Sequence, residues 1–390
     1  MQPGLERLKG SIEARLLAIK EAQRWRSLRT LSASPGIDLT HNDYLALRSD
    51  SIFQARAWEA ARRWPVGAGA SRLLGGEHAI FQELEASFAR WKGAEAALYF
   101  SSGYAANEAL MVAVKQEGAI FFSDALNHAS LIDGMRLAQL APQQKQVFRH
   151  NDIVHLEELL QAAQRRSADS LRLIVTESLF SMDGDFCPLP GLVELASRYG
   201  ALLVIDEAHS LGVYGKTGAG WLEELGFAHG PFVSINPCGK ALGASGAFVA
   251  GPRFLRDYLI NTARSFIYST GASPWVAAAL AEAIPYVAGL DERRRTLCEH
   301  AKRVRLRLSE LGFNSGSSVS HIVPIITGTE ASALQAEALL FEKGIMARAI
   351  RPPTVPDAMS RLRLSLHAGL DQAAVAQLLN ALEELRDALS

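Results

Sequence analysis

Five short apolar runs constrain the fold of this chain more than any other feature: "AALYF" (96–100), "AIFFS" (119–123), "RLIVT" (172–176), "ALLVID" (201–206) and "GAFVAG" (246–251). Each is nearly unbroken in apolar character and bounded by Gly, Ser, Asp or Asn, which suits strands buried on both faces. Amphipathic helix patterns lie between them. The clearest is "IVHLEELLQAAQRR", with Leu156, Leu159, Leu160 and Ala163 on one stripe. Strands that alternate with helices need crossover connections, so an α/β fold with a mostly parallel central sheet is expected. From about Pro274 the pattern changes to long helices, two short strand candidates, "HIVPIIT" (321–327) and "RLRLSL" (361–366), and a closing amphipathic helix. The expected organisation is an N-terminal segment (1–45) that packs with the small domain or across a partner subunit. It is followed by a large α/β domain (46–275) and a smaller α+β domain (276–390).

Composition removes several function classes. With a net charge of −1, the chain carries no global basic field to attract nucleic acid or an anionic membrane. No stretch approaches the ~18 apolar residues of a membrane span. The N-terminus alternates charged with apolar residues and does not read as a secretory signal. Cys187, Cys238 and Cys298 are far apart, so neither a zinc site nor a disulfide framework is expected. A reducing cytoplasm fits this usage.

In parallel sheets ligands gather beyond the carboxyl ends of the strands. "NPCGKALGASG" places Lys240 among small residues just before an apolar run. Such a lysine either lays its stem on apolar surface or uses its amine for chemistry. Asp206 ends the most apolar run, with His209 three residues on. A desolvated carboxylate there needs a cation or acts as a cap, and a protonated pyridine nitrogen is one such cation. In "YFSSGYAANEALM" a small-residue loop containing Gly103 opens a helix, which makes either an anion site or an ordinary serine cap. The loop is neither a Walker loop nor a GxGxxG fingerprint. His128 follows a third run, as a ring that stacks, moves protons or merely fills space. Ser181 follows a fourth and could bond a ring hydroxyl or a phosphate, while Asp183-Gly184 reads as a turn. Together, a Schiff-base lysine, a carboxylate for a pyridinium, an anion cradle and a stacking imidazole make one coherent site for pyridoxal 5'-phosphate (PLP).

The segments "HNDYLAL", "GAGASRLLGGEH", "SSGYAANEAL", "LNHASLIDG", "FSMDGD", "DEAHSLGVYG", "GKALGASGA", "FIYST" and "AIRPPTVP" follow one another in a specific order and spacing. From about Arg26 to the C-terminus the chain resembles the α-oxoamine synthases, PLP enzymes of the fold type I, aspartate aminotransferase-like superfamily. "IRPPTVP" favours the alanine-using branch over its glycine-using relatives. The resemblance implies a decarboxylating condensation of L-alanine with a pimeloyl thioester, on coenzyme A or a carrier protein. Sibling enzymes use glycine or serine with another acyl-CoA. A PLP-fold scaffold that has lost its cofactor is the rival of another class.

The resemblance also implies roles. Lys240 would hold PLP and later move protons, Asp206 would pair with the ring nitrogen, His209 would bond the phenolic oxygen and His128 would stack on the ring. Ser181 and the Gly103-Tyr104 backbone would contact cofactor oxygens. Asn42 and Arg363 would hold the amino-acid carboxylate, and Arg26, Arg351 and Thr354 would face the acyl substrate. The active site would lie at the interface of a homodimer, with Ser269 and Thr270 reaching the neighbour's cofactor phosphate. No metal is implied. Several positions depart from the family pattern. Pro237 stands three before the lysine, where the family carries a Thr or Ser hydroxyl for the phosphate. Weaker PLP retention is expected, with Asn236 or Ser234 as candidate substitutes. Ser210 and Ala46 replace usual glycines, and the usual histidine of the last strand region is displaced in "LHAGL".

Overall fold

In a computed structural model of the chain, residues 3–28, 36–227 and 229–389 are described; positions 29–35 of the expected N-terminal segment lie outside them. The chain divides into two compact units, Asn42–Ser181 with Asp185–Leu297, and Met1–His41 with Met182–Gly184 and Cys298–Ser390. The sequence places the second domain from residue 276, whereas the division falls between Leu297 and Cys298, inside the helix Asp291–Glu310. The apolar helix Pro274–Ala288 buries Ala277, Leu280, Ile284 and Val287 and packs on the helices Ser51–Ala61 and Ala79–Lys92, which holds it in the large unit.

The large unit is built on seven strands: β1 (Ala96–Phe100), β2 (Ile120–Asp124), β3 (Lys145–Phe148), β4 (Arg172–Glu177), β5 (Ala201–Asp206), β6 (Phe232–Pro237) and β7 (Ala247–Gly251). Their order in the sheet is β1-β7-β6-β5-β4-β2-β3. β7 is antiparallel to both β1 and β6, and the remaining pairs are parallel. Alternate residues enter two separate cores: Phe121, Val175 and Val204 join one, and Phe122, Ile174, Leu203 and Ile205 the other. That two-sided burial is why the runs show no polar alternation. The helices Gly103–Ala113 and Ala129–Leu137 cover the first face with Leu110, Met111, Leu131 and Met135. Ile153–Arg166 and Leu189–Arg198 cover the other with Leu156, Leu160, Leu192 and Leu195. Each such buried side chain contributes about 1.5–3 kcal/mol.

The small unit holds a three-stranded antiparallel sheet of β8 (Ile322–Gly328), β9 (Arg348–Ile350) and β10 (Ser360–Ser365), with β10 in the middle. Ile37–Asp38 pairs with Ile345–Met346, and Arg24 reaches Glu330 and Asp357, so the end of the N-terminal segment docks here. The helix Pro3–Glu21 buries none of its residues.

Candidate active site

Because six of the seven strands of the large sheet run the same way, the carboxyl ends Phe100, Asp124, Glu177, Asp206 and Pro237 share one edge. The register sets Glu177 opposite Asp206 and Asp206 opposite Ile235. Gly103, His128, Ser181, His209 and Lys240 all follow these ends.

Asp206 is 4% exposed. Its Oδ2 accepts from Asn107 Nδ2 at 2.8 Å and its Oδ1 from the Ala208 N–H at 2.9 Å. Asn107 also donates to Ser130 Oγ at 2.8 Å, and Ser130 Oγ lies 2.7 Å from His128 Nδ1. His128 caps the helix Ala129–Leu137 by accepting from the Ser130 N–H. Burial lowers the pKa of the His128 imidazole; Asp206 works against this and Lys240 with it. A ring held neutral in this way is a flat face without charge. Glu177 is pushed well above the usual carboxyl range by burial and by Asp206, while the His128 N–H and Lys240 pull the other way. Asp206 and Lys240 thus both bear electrostatically on His128 and on Glu177. Lys240 itself is half-buried in a tight turn, where its carbonyl accepts from the Gly243 N–H at 3.0 Å. Lys240 also lowers the thiol pKa of buried Cys238, though burial dominates and raises it above the ordinary range.

The glycine loop is bare backbone for a steric reason. A Cβ at Gly103 would sit 2.7 Å from Pro237 Cγ, so the proline ring already occupies that space. Ser102 caps the following helix at the Ala105 N–H. Tyr104 turns away to Asp133 with its hydroxyl and meets the His128 ring edge-on at 6.4 Å. His209 is buried, with Nδ1 2.6 Å from Tyr44 Oη, and Tyr44 Oη is 3.1 Å from Asn42 Oδ1. Ser269 and Thr270 line a small cavity with Arg72, Tyr99 and Ser101 of the same chain.

In the small unit, Arg26 Nη2 lies 3.4 Å from Thr354 Oγ1, and Arg351 donates to the carbonyls of Gln23 and Trp25. The structure thus gathers Arg26, Arg351 and Thr354. Arg363 is buried on β10 and donates to Ser365 Oγ. Near it, burial first, then Arg363 and Arg305, push His321 down to about 3, so it stays neutral.

The sequence pattern gives no role to Tyr44, Asn107 or Ser130, and marks Glu177 only as standing at a strand end. Asn107 stands one helical turn after Gly103, a spacing that puts both on the same side of the helix start. Nor does the pattern give a role to His150, which bridges Asp124 and Asp185 at 2.9 Å each.

Residues 34–382 match the family described as aminotransferase class I and II. The 8-amino-7-oxononanoate synthase of Anaeromyxobacter dehalogenans is 44% identical over 346 residues, 89% of this chain and 85% of the relative. Serine palmitoyltransferase of Sphingomonas wittichii superimposes with a TM-score of 0.88 at 26% identity, over 99% of this chain and 98% of that one. The structure of 8-amino-7-oxononanoate synthase from Francisella tularensis gives a TM-score of 0.77 at 26% identity, over 92% and 98%. The chain belongs to the class I and II aminotransferases, in their α-oxoamine synthase branch. It is a PLP-dependent acyltransferase with the fold type I architecture. Its residues fit the cofactor. The buried Asp206 carboxylate has two neutral donors, and a pyridinium N–H is the cationic partner that its burial calls for. Among the described residues no cluster suited to a metal ion occurs, and no helix is long and apolar enough to cross a membrane.

Proposed function

We propose that the chain condenses L-alanine with a pimeloyl thioester, carried on coenzyme A or a carrier protein, and releases carbon dioxide to give 8-amino-7-oxononanoate for biotin synthesis. What supports this reading is that Lys240, Asp206 and His128 all belong to strand ends on one edge of the sheet, in a chain 44% identical to such an enzyme.

The Lys240 amine would hold the cofactor and, once released, take the α-proton of the amino acid. When bound, PLP supplies an electron sink for the carbon that loses this proton. Asp206 would keep the ring nitrogen protonated, and Asn107 orients that carboxylate. The uncharged face of His128 would stack on the ring without competing for the charge of Asp206. His209 would bond the phenolic oxygen. Ser181 and the N–H groups of Gly103 and Tyr104 would take cofactor oxygens, the latter two at a helix start where the dipole favours an anion. Asn42 and Arg363 would bind the amino-acid carboxylate, and Arg26, Arg351 and Thr354 would bind the acyl substrate. Arginine's planar fork suits a carboxylate because it bonds both oxygens. We read the working unit as a cytoplasmic homodimer, with Ser269 and Thr270 of one protomer at the partner's cofactor phosphate.

A sibling condensation with L-serine or glycine is favoured by one observation, the higher TM-score of serine palmitoyltransferase. Mass analysis of products from L-alanine, glycine and L-serine, each with pimeloyl-CoA and palmitoyl-CoA, separates the two. Alanine with pimeloyl-CoA is expected to win by about tenfold or more, the worth of a methyl-sized difference in a fitted pocket. Lys240→Ala is expected to abolish turnover. Serine-only product would overturn the substrate assignment, and an active K240A enzyme would overturn the mechanism.

A further inference from the structure

Tyr44 joins two residues that are assigned to different ligands. Its side chain is fully buried. Its hydroxyl oxygen stands 2.6 Å from His209 Nδ1 and 3.1 Å from Asn42 Oδ1. A tyrosine hydroxyl has one hydrogen to give, and an amide oxygen can only accept. The hydroxyl therefore donates to Asn42 Oδ1 and accepts from His209, which requires the proton on Nδ1. The reverse assignment would leave two oxygens 3.1 Å apart with no hydrogen between them.

Two consequences follow for the groups at either end. With Oδ1 turned to Tyr44, the Asn42 amide presents its N–H2 end elsewhere, and a carboxylate needs donors of that kind. With Nδ1 protonated, the lone pair of neutral His209 falls on Nε2, so that atom accepts from a phenolic O–H or, once protonated, donates to a phenolate. We propose that Tyr44 is a positioning residue: one hydroxyl orients the Asn42 amide toward the amino-acid substrate and holds His209 in the Nδ1–H tautomer toward the cofactor's phenolic oxygen. The two outer assignments rest on the function proposed above, whereas the tautomer rests on the structure alone.

Tyr44→Phe removes the hydroxyl and keeps the ring that fills the core. The imidazole 15N shifts of His209, recorded on full-length protein with PLP and after its removal, read the tautomer without reference to turnover. Wild type is expected to show a protonated Nδ1 and an unprotonated Nε2, and Y44F a mixture or the reverse. In steady-state kinetics Y44F is expected to raise KM for L-alanine by about tenfold, the effect of one lost hydrogen bond on a charged group, with a smaller change in kcat. The visible band of the bound cofactor is expected to change its pH dependence in Y44F. A wild-type Nε2–H tautomer, or identical shifts and KM in the two proteins, would overturn the proposal. The wild-type spectrum decides the tautomer even if Y44F fails to fold. A protein that shows the expected tautomer but no visible band with PLP would count against the proposed function and leave the Tyr44 contact standing.

Discussion

Among single residues, the proposed cofactor cradle makes Pro237 the position to test. It closes β6, and its ring lies against the backbone of Gly103, at the start of the helix Gly103–Ala113. The resemblance implies a hydroxyl at this place, and proline supplies neither hydroxyl nor N–H. Asn236 and Ser234 do not stand in for it. Strand residues two apart share a face, so both lie on the side opposite Pro237, where Asn236 Nδ2 donates to Ser234 Oγ at 2.9 Å. Pro237→Thr is therefore expected to tighten PLP binding by about tenfold, since a hydrogen bond to a charged group contributes roughly 1.5–3 kcal/mol. Titration of cofactor-free protein, followed in the visible band, measures this. Unchanged affinity in P237T would show that the proline costs nothing and that the cradle draws its hold from backbone alone.

At the scale of elements, one histidine ties three strand-end loops together. His150 follows β3; its Nδ1 meets Asp124 at the end of β2, and its Nε2 meets Asp185 in the loop after β4. Burial lowers its pKa, but the hydrogen bonds and charges of Asp124 and Asp185 outweigh that and raise it to about 10. The folded pKa lies above the unfolded value of about 6.5, so the contribution is complete below that pH. It declines as pH rises and is lost above about 10. The Tm difference between wild type and His150→Gln is thus expected to be largest near pH 6 and to shrink steadily toward pH 10. A difference that stays flat over this window would mean that His150 is neutral in the fold. Nothing in "FRHND" announced this clamp, because its partners lie 26 and 35 residues away and only the sheet brings them together. The same limit explains which strands were legible. Runs buried on both faces, such as β1 and β5, are visible as apolar blocks at their true bounds. The edge strand β3, "KQVF", is half exposed, and β6, "FVSINP", carries buried polar residues and ends in proline, so neither reads as a strand on pattern alone. The strand-end positions of Lys240, Asp206 and His128 are legible because Asp206 closes an apolar run and the other two follow strand ends. Tyr44 and Asn107 act through other side chains, and such support leaves no mark on local sequence.

For the molecule as a whole, the proposed ligand site and the fold share the same edge. The groups assigned to PLP stand at the ends of β1, β2, β4, β5 and β6, which pair into one sheet only in the native state. The unfolded chain has no such constellation, so the cofactor binds the native form and stabilises it by mass action. At a hundredfold excess over Kd that stabilisation is about 2.7 kcal/mol. A melting series with increasing PLP is therefore expected to raise Tm by several degrees, continuing to climb with the logarithm of concentration. Pyridoxal without its phosphate should give a smaller rise, because the Gly103 helix start then has no anion to hold. Asp206→Ala should also reduce the rise, because the pyridinium then loses its buried counter-charge while Asn107 loses its acceptor. If PLP leaves Tm unmoved in the wild type, the strand-end residues do not form the binding site, and the placement of the cofactor at this edge fails with it.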